Sequence, residues 1–361
     1  MRTISDTIER LARLRAGRFS AANQHHTDVL VRLEPSGDNP GNLTGWFTKP
    51  DSLKTAPALV VVLHGCTQTA AGYDYGSGWS SLASDYGFAV LFPEQSRENN
   101  ANLCFNWFNK EDITRDRGEV QSVRAMIATM IANHGVDPKR VYVTGLSAGG
   151  AMANALLATY PEVFAGGAII AGLPYGVAGT VPEAFDRMRG HGLPIAAALV
   201  DMLREASPHQ GVWPTVSVWH GTADNTVVEG NARAIVEQWR GVHAVPQKAT
   251  LTEIVDSQRH EVWRDTSGRD VIELYSIHGM AHGTPVDTQA GYGHGAPFML
   301  DVGISSTVHI ARNWGLTPSF ERRANAPKRE QAPSAGRWQQ SRVGGVQNVI
   351  EDALRSAGLM K

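Results

Sequence analysis

Residues 140–151, RVYVTGLSAGGA, constrain this chain more than any other stretch. RVYVT is a short β-branched run of the kind that lies buried on both faces of a parallel sheet. Gly-Leu-Ser-Ala-Gly follows at 145–149 without a spacer, and residues 148–159 then read as a helix. A serine on such a strand-to-helix bend is lifted above the end of the sheet, and the bend closes so tightly that the positions two before and two after must be small. Gly145 and Gly149 meet that demand, while Gly150 and Ala151 let the helix lie close to the strand. The N–H groups at the helix start favour negative charge beside Ser147. A glycine-rich turn with an incidental serine is the plainer alternative, and the seat between that strand and that helix argues against it.

The flanking chain repeats the alternation. Apolar runs at 59–63 (LVVVL), 88–92 (FAVLF, stopped by Pro93), 168–171 (AIIA), 215–219 (TVSVW) and 271–277 (VIELYSI) read as further strands, and 119–133 and 231–239 as further helices. Strands alternating with helices predict an α/β chain with a doubly wound, mostly parallel sheet. Residues 173–214 are long for one connection and predict a small helical excursion, a cap over the active site, with 195–203 its most apolar part. Ile4, Ile8, Leu11 and Leu14 recur at helical spacing, so residues 1–40 read as an N-terminal helix and arm, and 41–316 as the catalytic domain. Residues 317–361 read as an arm, rich in Pro, Arg, Gln and Ala over 318–342, and a last helix over 346–357 with Val346, Ile350 and Leu354 on one face.

A net charge of −2 with 42% hydrophobic residues implies an ordinary globular chain without a basic surface, so neither nucleic acid nor a membrane is expected as a partner. The longest apolar runs, at 58–63 and 195–200, fall far short of the ~20 residues a membrane span needs. Acidic residues interrupt the first 19 positions and no apolar stretch of signal-peptide length follows, so either the protein stays inside the cell or a leader has been removed. Cys66 and Cys104 are too few for a disulfide framework or zinc cluster; one bridge between them stays open, depending on how closely their Cα atoms approach. No H-E-x-x-H, P-loop or G-x-G-x-x-G pattern occurs, so no metal and no cofactor are expected.

A serine hydroxyl needs a base, itself oriented by a carboxylate, and on an α/β-hydrolase fold the order is Ser, Asp or Glu, then His. In 219–224 (WHGTAD) a strand, a glycine turn and Asp224 follow in order; Asp201 falls within a predicted helix, and Asp256 is a weaker loop candidate. The loop after the last strand, 277–283 (IHGMAHG), offers His278 at the strand end and His282 beyond Gly279, and His282 has the reach to return to Ser147. For the oxyanion, donors are expected from the N–H of Ala148 and the backbone of Cys66 in the 64–68 loop (HGCTQ). Cys66 as a thiol nucleophile is the competing idea, with no downstream partner to favour it, and His64 reads as a structural residue at a strand end.

The set LHGCTQTAAGY (63–73), FPEQ (92–95), CFNWF (104–108), RGE (117–119), GLSAGGAMANALLATYPEVFA (145–165), AGLPYG (171–176), VWHGTADNTV (218–227) and GMAH (279–282) resembles short-chain polyhydroxyalkanoate (poly-3-hydroxybutyrate) depolymerases and their feruloyl and acetylxylan esterase relatives, over about residues 58–315. The resemblance implies Ser147, Asp224 and His282 as catalytic triad and Cys66 at the oxyanion hole. It further implies substrate contacts from Trp107 and Gln68, a hydroxyalkanoate polymer or oligomer or a plant cell-wall ester as substrate, and an extracellular setting. Two departures stand out. Gly283-Thr284-Pro285 follows His282 where the family commonly carries a tryptophan, and the charged C-terminal tail is too short for a polymer-binding module, so oligomers or soluble esters are the expected substrates. A feruloyl or acetylxylan esterase, an acyltransferase and a non-catalytic hydrolase-fold binding protein are the rival readings.

Overall fold

The computed structural model describes residues 29–34, 37–50 and 56–317. The helix expected around 4–14, the arm over 318–342 and the helix over 346–357 lie outside the described residues. Ten strands form one sheet: β1 (Val31–Leu33), β2 (Thr44–Thr48), β3 (Leu59–Leu63), β4 (Ala89–Glu94), β5 (Val141–Leu146), β6 (Gly166–Ile170), β7 (Thr215–Gly221), β8 (Leu251–Val255), β9 (Gln258–Arg264) and β10 (Asp270–Ile277). Their spatial order is β1-β2-β4-β3-β5-β6-β7-β10-β9-β8. The six strands from β4 to β10 in that order run parallel, and β1–β2 and β8–β9 add antiparallel edges. A separate pair, β11 (Thr284–Val286) and β12 (Met299–Asp301), lies just beyond the base-bearing loop.

All six parallel strands coincide with the apolar runs read from the sequence. β3 shows why: Leu59, Val61 and Leu63 pack into one core and Val60 and Val62 into another, so no position can be polar. The first core holds the helices Gly118–His134, Ala148–Thr159 and Gly230–His243; the second holds Ala70–Ser77, Trp79–Tyr86 and Ser306–Asn313. That is a doubly wound sheet.

Pro93 does not end β4, which continues to Glu94. Pairing with β3 stops at Leu91, so beyond it β4 has only β2 as a neighbour, and a missing N–H there breaks no ladder on the open side. The connection over 173–214 does carry two helices, Val181–Met188 and Ala196–Glu205. A buried amide staples it down: Gln238 accepts from Tyr175 N–H at 2.9 Å and donates to the carbonyls of Tyr175 and Leu199 at 3.1 and 3.0 Å. Asp201 lies exposed within the second of those helices.

Candidate active site

Ser147 stands between β5 and the Ala148–Thr159 helix with φ 58° and ψ −117°, a backbone state in which side chains are rare. Hydrogen bonds hold it there, from Ser147 N–H to the Ile170 carbonyl at 2.9 Å and from Ala151 N–H to the Ser147 carbonyl at 2.8 Å. The flanking glycines are required by close approach. A Cβ at Gly145 would lie 2.4 Å from the Gly149 carbonyl oxygen, and one at Gly149 would lie 2.4 Å from those of Leu63 and His64. The bend therefore presses directly on the end of β3, which brings the Cys66 loop beside Ser147.

Asp224 and His282 come from the ends of β7 and β10. Thr222 N–H donates to the Ile277 carbonyl and Ala223 N–H to that of Met280, both at 3.0 Å, so the two loops are joined backbone to backbone. A Cβ at Gly221 would sit 2.2 Å from the Met280 oxygen, which excludes any larger residue from that joint. His282 Nδ1 lies 2.7 Å from Asp224 Oδ2, and His282 Nε2 lies 2.9 Å from Ser147 Oγ. A carboxylate only accepts, so Nδ1 carries the imidazole proton and Nε2 is left to accept from the serine hydroxyl.

Asp224 Oδ1 accepts the N–H groups of Thr226 and Val227, each at 2.9 Å. Burial works to raise the Asp224 pKa, but the hydrogen bonds from His282 and from the Val227 N–H outweigh it and hold the carboxyl below its ordinary value. His220, fully buried, was not singled out from the sequence. It donates from Nε2 to the Val227 carbonyl at 2.7 Å and so holds the residue whose N–H cradles the acid. Burial depresses its own pKa, keeping it neutral beside Asp224.

The other sequence candidates separate cleanly. His278 is exposed. Asp256 sits at the β8–β9 turn, with His309 Nε2 at 2.8 Å. His64 donates from Nδ1 to the Gly65 carbonyl at 2.8 Å and accepts the Gln95 N–H at 3.1 Å; burial lowers its pKa to about 4, so it is a neutral anchor with both nitrogens occupied. Gln68, expected to contact substrate, is half-buried and is not among the residues that line the cleft over Ser147. Its Oε1 accepts from Gly65 N–H at 2.9 Å and its Nε2 donates to the Pro297 carbonyl at 3.3 Å.

A cleft of about 300 Å³ opens over Ser147, with Cys66 and Ala148 in its lining. Trp107 and Phe108 line it, packed edge to face with centroids 5.7 Å apart. Val181, Ala184, Phe185 and Met188, one side of the first cap helix, also line it. Their i, i+3, i+4, i+7 spacing was visible in the sequence and was overlooked. Among the described residues no group of three or more His, Cys, Asp or Glu side chains is placed to hold a metal ion, and no helix is long and apolar enough to cross a membrane.

Cys66 and Cys104 form a disulfide, with Cα atoms 4.2 Å apart across 38 residues, and this removes the Cys66 thiol as a nucleophile. The bridge ties the Cys66 loop to the wall that carries Trp107. Replacing Cys104 and Cys66 together by serine should lower unfolding stability by about 2–4 kcal/mol and reduce kcat for a short-chain ester; an unchanged denaturation midpoint would show that the bridge is idle.

Residues 46–262 match the family model described as esterase PHB depolymerase. The chain is 43% identical over 292 residues to poly(3-hydroxyalkanoate) depolymerase C of Paucimonas lemoignei, covering 80% of this chain and 70% of that one. It is 32% identical over 263 residues to an acetylxylan esterase of Coprinopsis cinerea, covering 71% and 69%. Among solved structures, acetyl xylan esterase from Aspergillus awamori superposes with a TM-score of 0.68 at 23% identity, covering 80% of this chain and 99% of that one. The shared architecture is the α/β-hydrolase fold.

Proposed function

The chain belongs to the esterase PHB depolymerase family and is a carboxylic ester hydrolase; on that premise we propose that Ser147, His282 and Asp224 are its catalytic triad and that esters of 3-hydroxyalkanoic acids are its substrates. The unbroken hydrogen-bond series from Ser147 Oγ through His282 to Asp224, opening into the cleft, carries the catalytic part of this reading.

Ser147 Oγ attacks the ester carbonyl while His282 Nε2 takes its proton. The imidazolium then carries protons on both nitrogens, and the ionised Asp224 stabilises it through Nδ1–H. Negative charge on the former carbonyl oxygen is held by the N–H groups of Ala148 and Cys66, donors of a kind each worth about 10²–10³ in turnover. His282 returns the proton to the departing alkoxide, leaving an acyl group on Ser147. Water, deprotonated by the same nitrogen, attacks that acyl group, and collapse of the second intermediate frees the acid and the serine. No step requires a cofactor.

The higher identity to a polyhydroxyalkanoate depolymerase than to the acetylxylan esterase supports the hydroxyalkanoate assignment over a plant cell-wall ester. The disulfide supports action in an oxidising compartment, where such bridges persist. A panel of 3-hydroxybutyrate oligomers, methyl ferulate and acetylated xylan tests the substrate. kcat/KM should be highest for the oligomers; a higher value for methyl ferulate or acetylated xylan would replace the assignment. Addition of alcohol acceptors should leave the free acid as the main product, and a dominant transfer product would make the enzyme an acyltransferase.

A further inference from the structure

The segment 99–106 brings four asparagines to the lining of the cleft: Asn99, Asn100, Asn102 and Asn106. Three are committed to the fold. Asn99 Nδ2 donates to the Gly41 carbonyl and to Gln95 Oε1, both at 2.8 Å. Asn100 Nδ2 donates to Asn106 Oδ1 at 2.9 Å, while its Oδ1 accepts the N–H groups of Asn102 and Cys104 at 3.0 and 3.3 Å. Asn106 Nδ2 donates to the buried Glu119 Oε1 at 2.8 Å. The side-chain amide of Asn102 has no such partner among the described residues.

Asn102 is also fixed close to the reacting centre. Its N–H is taken by Asn100, and its carbonyl accepts the Thr67 N–H at 2.7 Å, one residue from Cys66. Two residues on, Cys104 is bonded to Cys66 itself. With its backbone groups occupied, what Asn102 offers the cleft is its side chain. The same cleft is lined by the apolar Val181, Ala184, Phe185 and Met188. An amide together with an aliphatic and aromatic surface suits a ligand that carries both an additional oxygen and a methyl branch.

We propose that Asn102 is a specificity-determining residue, whose side-chain amide hydrogen-bonds a second oxygen of the substrate a few bonds from the scissile ester. This rests on the hydrolase reading above and narrows its substrate class to hydroxyacyl esters over plain alkyl esters. In a chain of 3-hydroxyacyl units such an oxygen recurs on both sides of every linkage, and in a simple fatty ester it is absent. No covalent step involves Asn102, and its contribution is to orient the bound ester. A polar site left without its partner discriminates against the analogue that lacks the oxygen.

The test compares the methyl ester of the 3-hydroxybutyrate dimer, cleaved at its inner linkage, with sec-butyl butyrate, which has the same branched ester without the additional oxygens. In Asn102→Ala, kcat/KM for the dimer should fall by about tenfold, while that for sec-butyl butyrate changes less than twofold. Asn102→Asp keeps the shape but withdraws the N–H donors, and should lose the dimer as Ala does. Because the backbone carbonyl that holds Thr67 remains in both variants, labelling of Ser147 by a fluorophosphonate should proceed at the parent rate. Equal losses on both esters, or slowed labelling, would make Asn102 a structural residue and overturn the proposal. So would an unchanged ratio. Failure of the parent protein to hydrolyse either ester would instead overturn the hydroxyalkanoate-ester reading, and the role of Asn102 with it.

Discussion

Ser147→Ala is expected to lower kcat for p-nitrophenyl butyrate by about 10⁴-fold or more and to abolish fluorophosphonate labelling. The change removes one oxygen whose hydrogen-bond partner is His282 Nε2 at 2.9 Å. It adds no atom to a bend already closed by Gly145 and Gly149, and the backbone at φ 58° already carries a Cβ. The loss should therefore appear in kcat with the thermal midpoint unmoved. A thermal shift accompanying the loss would point to damage at the bend, and retained turnover would remove Ser147 as nucleophile.

Asp224→Asn should cost about 10⁴-fold in kcat, for a reason that these hydrogen bonds specify. Oδ1 accepts two backbone N–H groups, from Thr226 and Val227. In the asparagine the carbonyl oxygen is selected for that cradle, because an NH₂ cannot accept there. The NH₂ is thereby turned toward His282 Nδ1, where it donates. Nδ1 must then give up its proton, which moves to Nε2, and the nitrogen facing Ser147 can no longer take the hydroxyl proton. KM should change little, since Asp224 is buried behind the imidazole. A kcat within tenfold of the parent enzyme would mean that another group orients His282. His278→Ala serves as the control and should be nearly silent, because that side chain is exposed.

The parallel heart of the sheet was legible in the sequence because strands buried on both faces leave only apolar residues to read. The antiparallel edges were not. β1 shows the pattern exposed, exposed, buried, and Glu253 in β8 faces solvent, so neither gives an apolar run. The β8–β9 turn has φ 45° at Asp256 and 65° at Ser257, a geometry usually announced by Asn-Gly or Asp-Gly, and Asp-Ser gives no such signal. At the site, the strand–serine–helix bend and the chain order of acid and base single out the three side chains that the fold brings together. The cap helix face was readable from its spacing, whereas Asn102 lay beyond reach: which loop residues line a cleft depends on packing between segments distant in the chain.

The joint between the β7 and β10 loops bears on which changes this scaffold tolerates. Because Thr222 and Ala223 grip Ile277 and Met280 through main-chain atoms, the lengths of these loops are fixed, and only positions other than Gly221, Thr222, Asp224 and His282 are open to side-chain drift. One inserted residue advances the chain by roughly 3.3–3.6 Å, larger than the whole span from imidazole nitrogen to serine oxygen. Homologues of this chain should therefore almost never vary in residue count between positions 277 and 282, whatever the composition between those two ends. A designer seeking new ester preferences has freedom on the cleft-facing side of the cap helix and at position 102, and none in the spacing of those two loops.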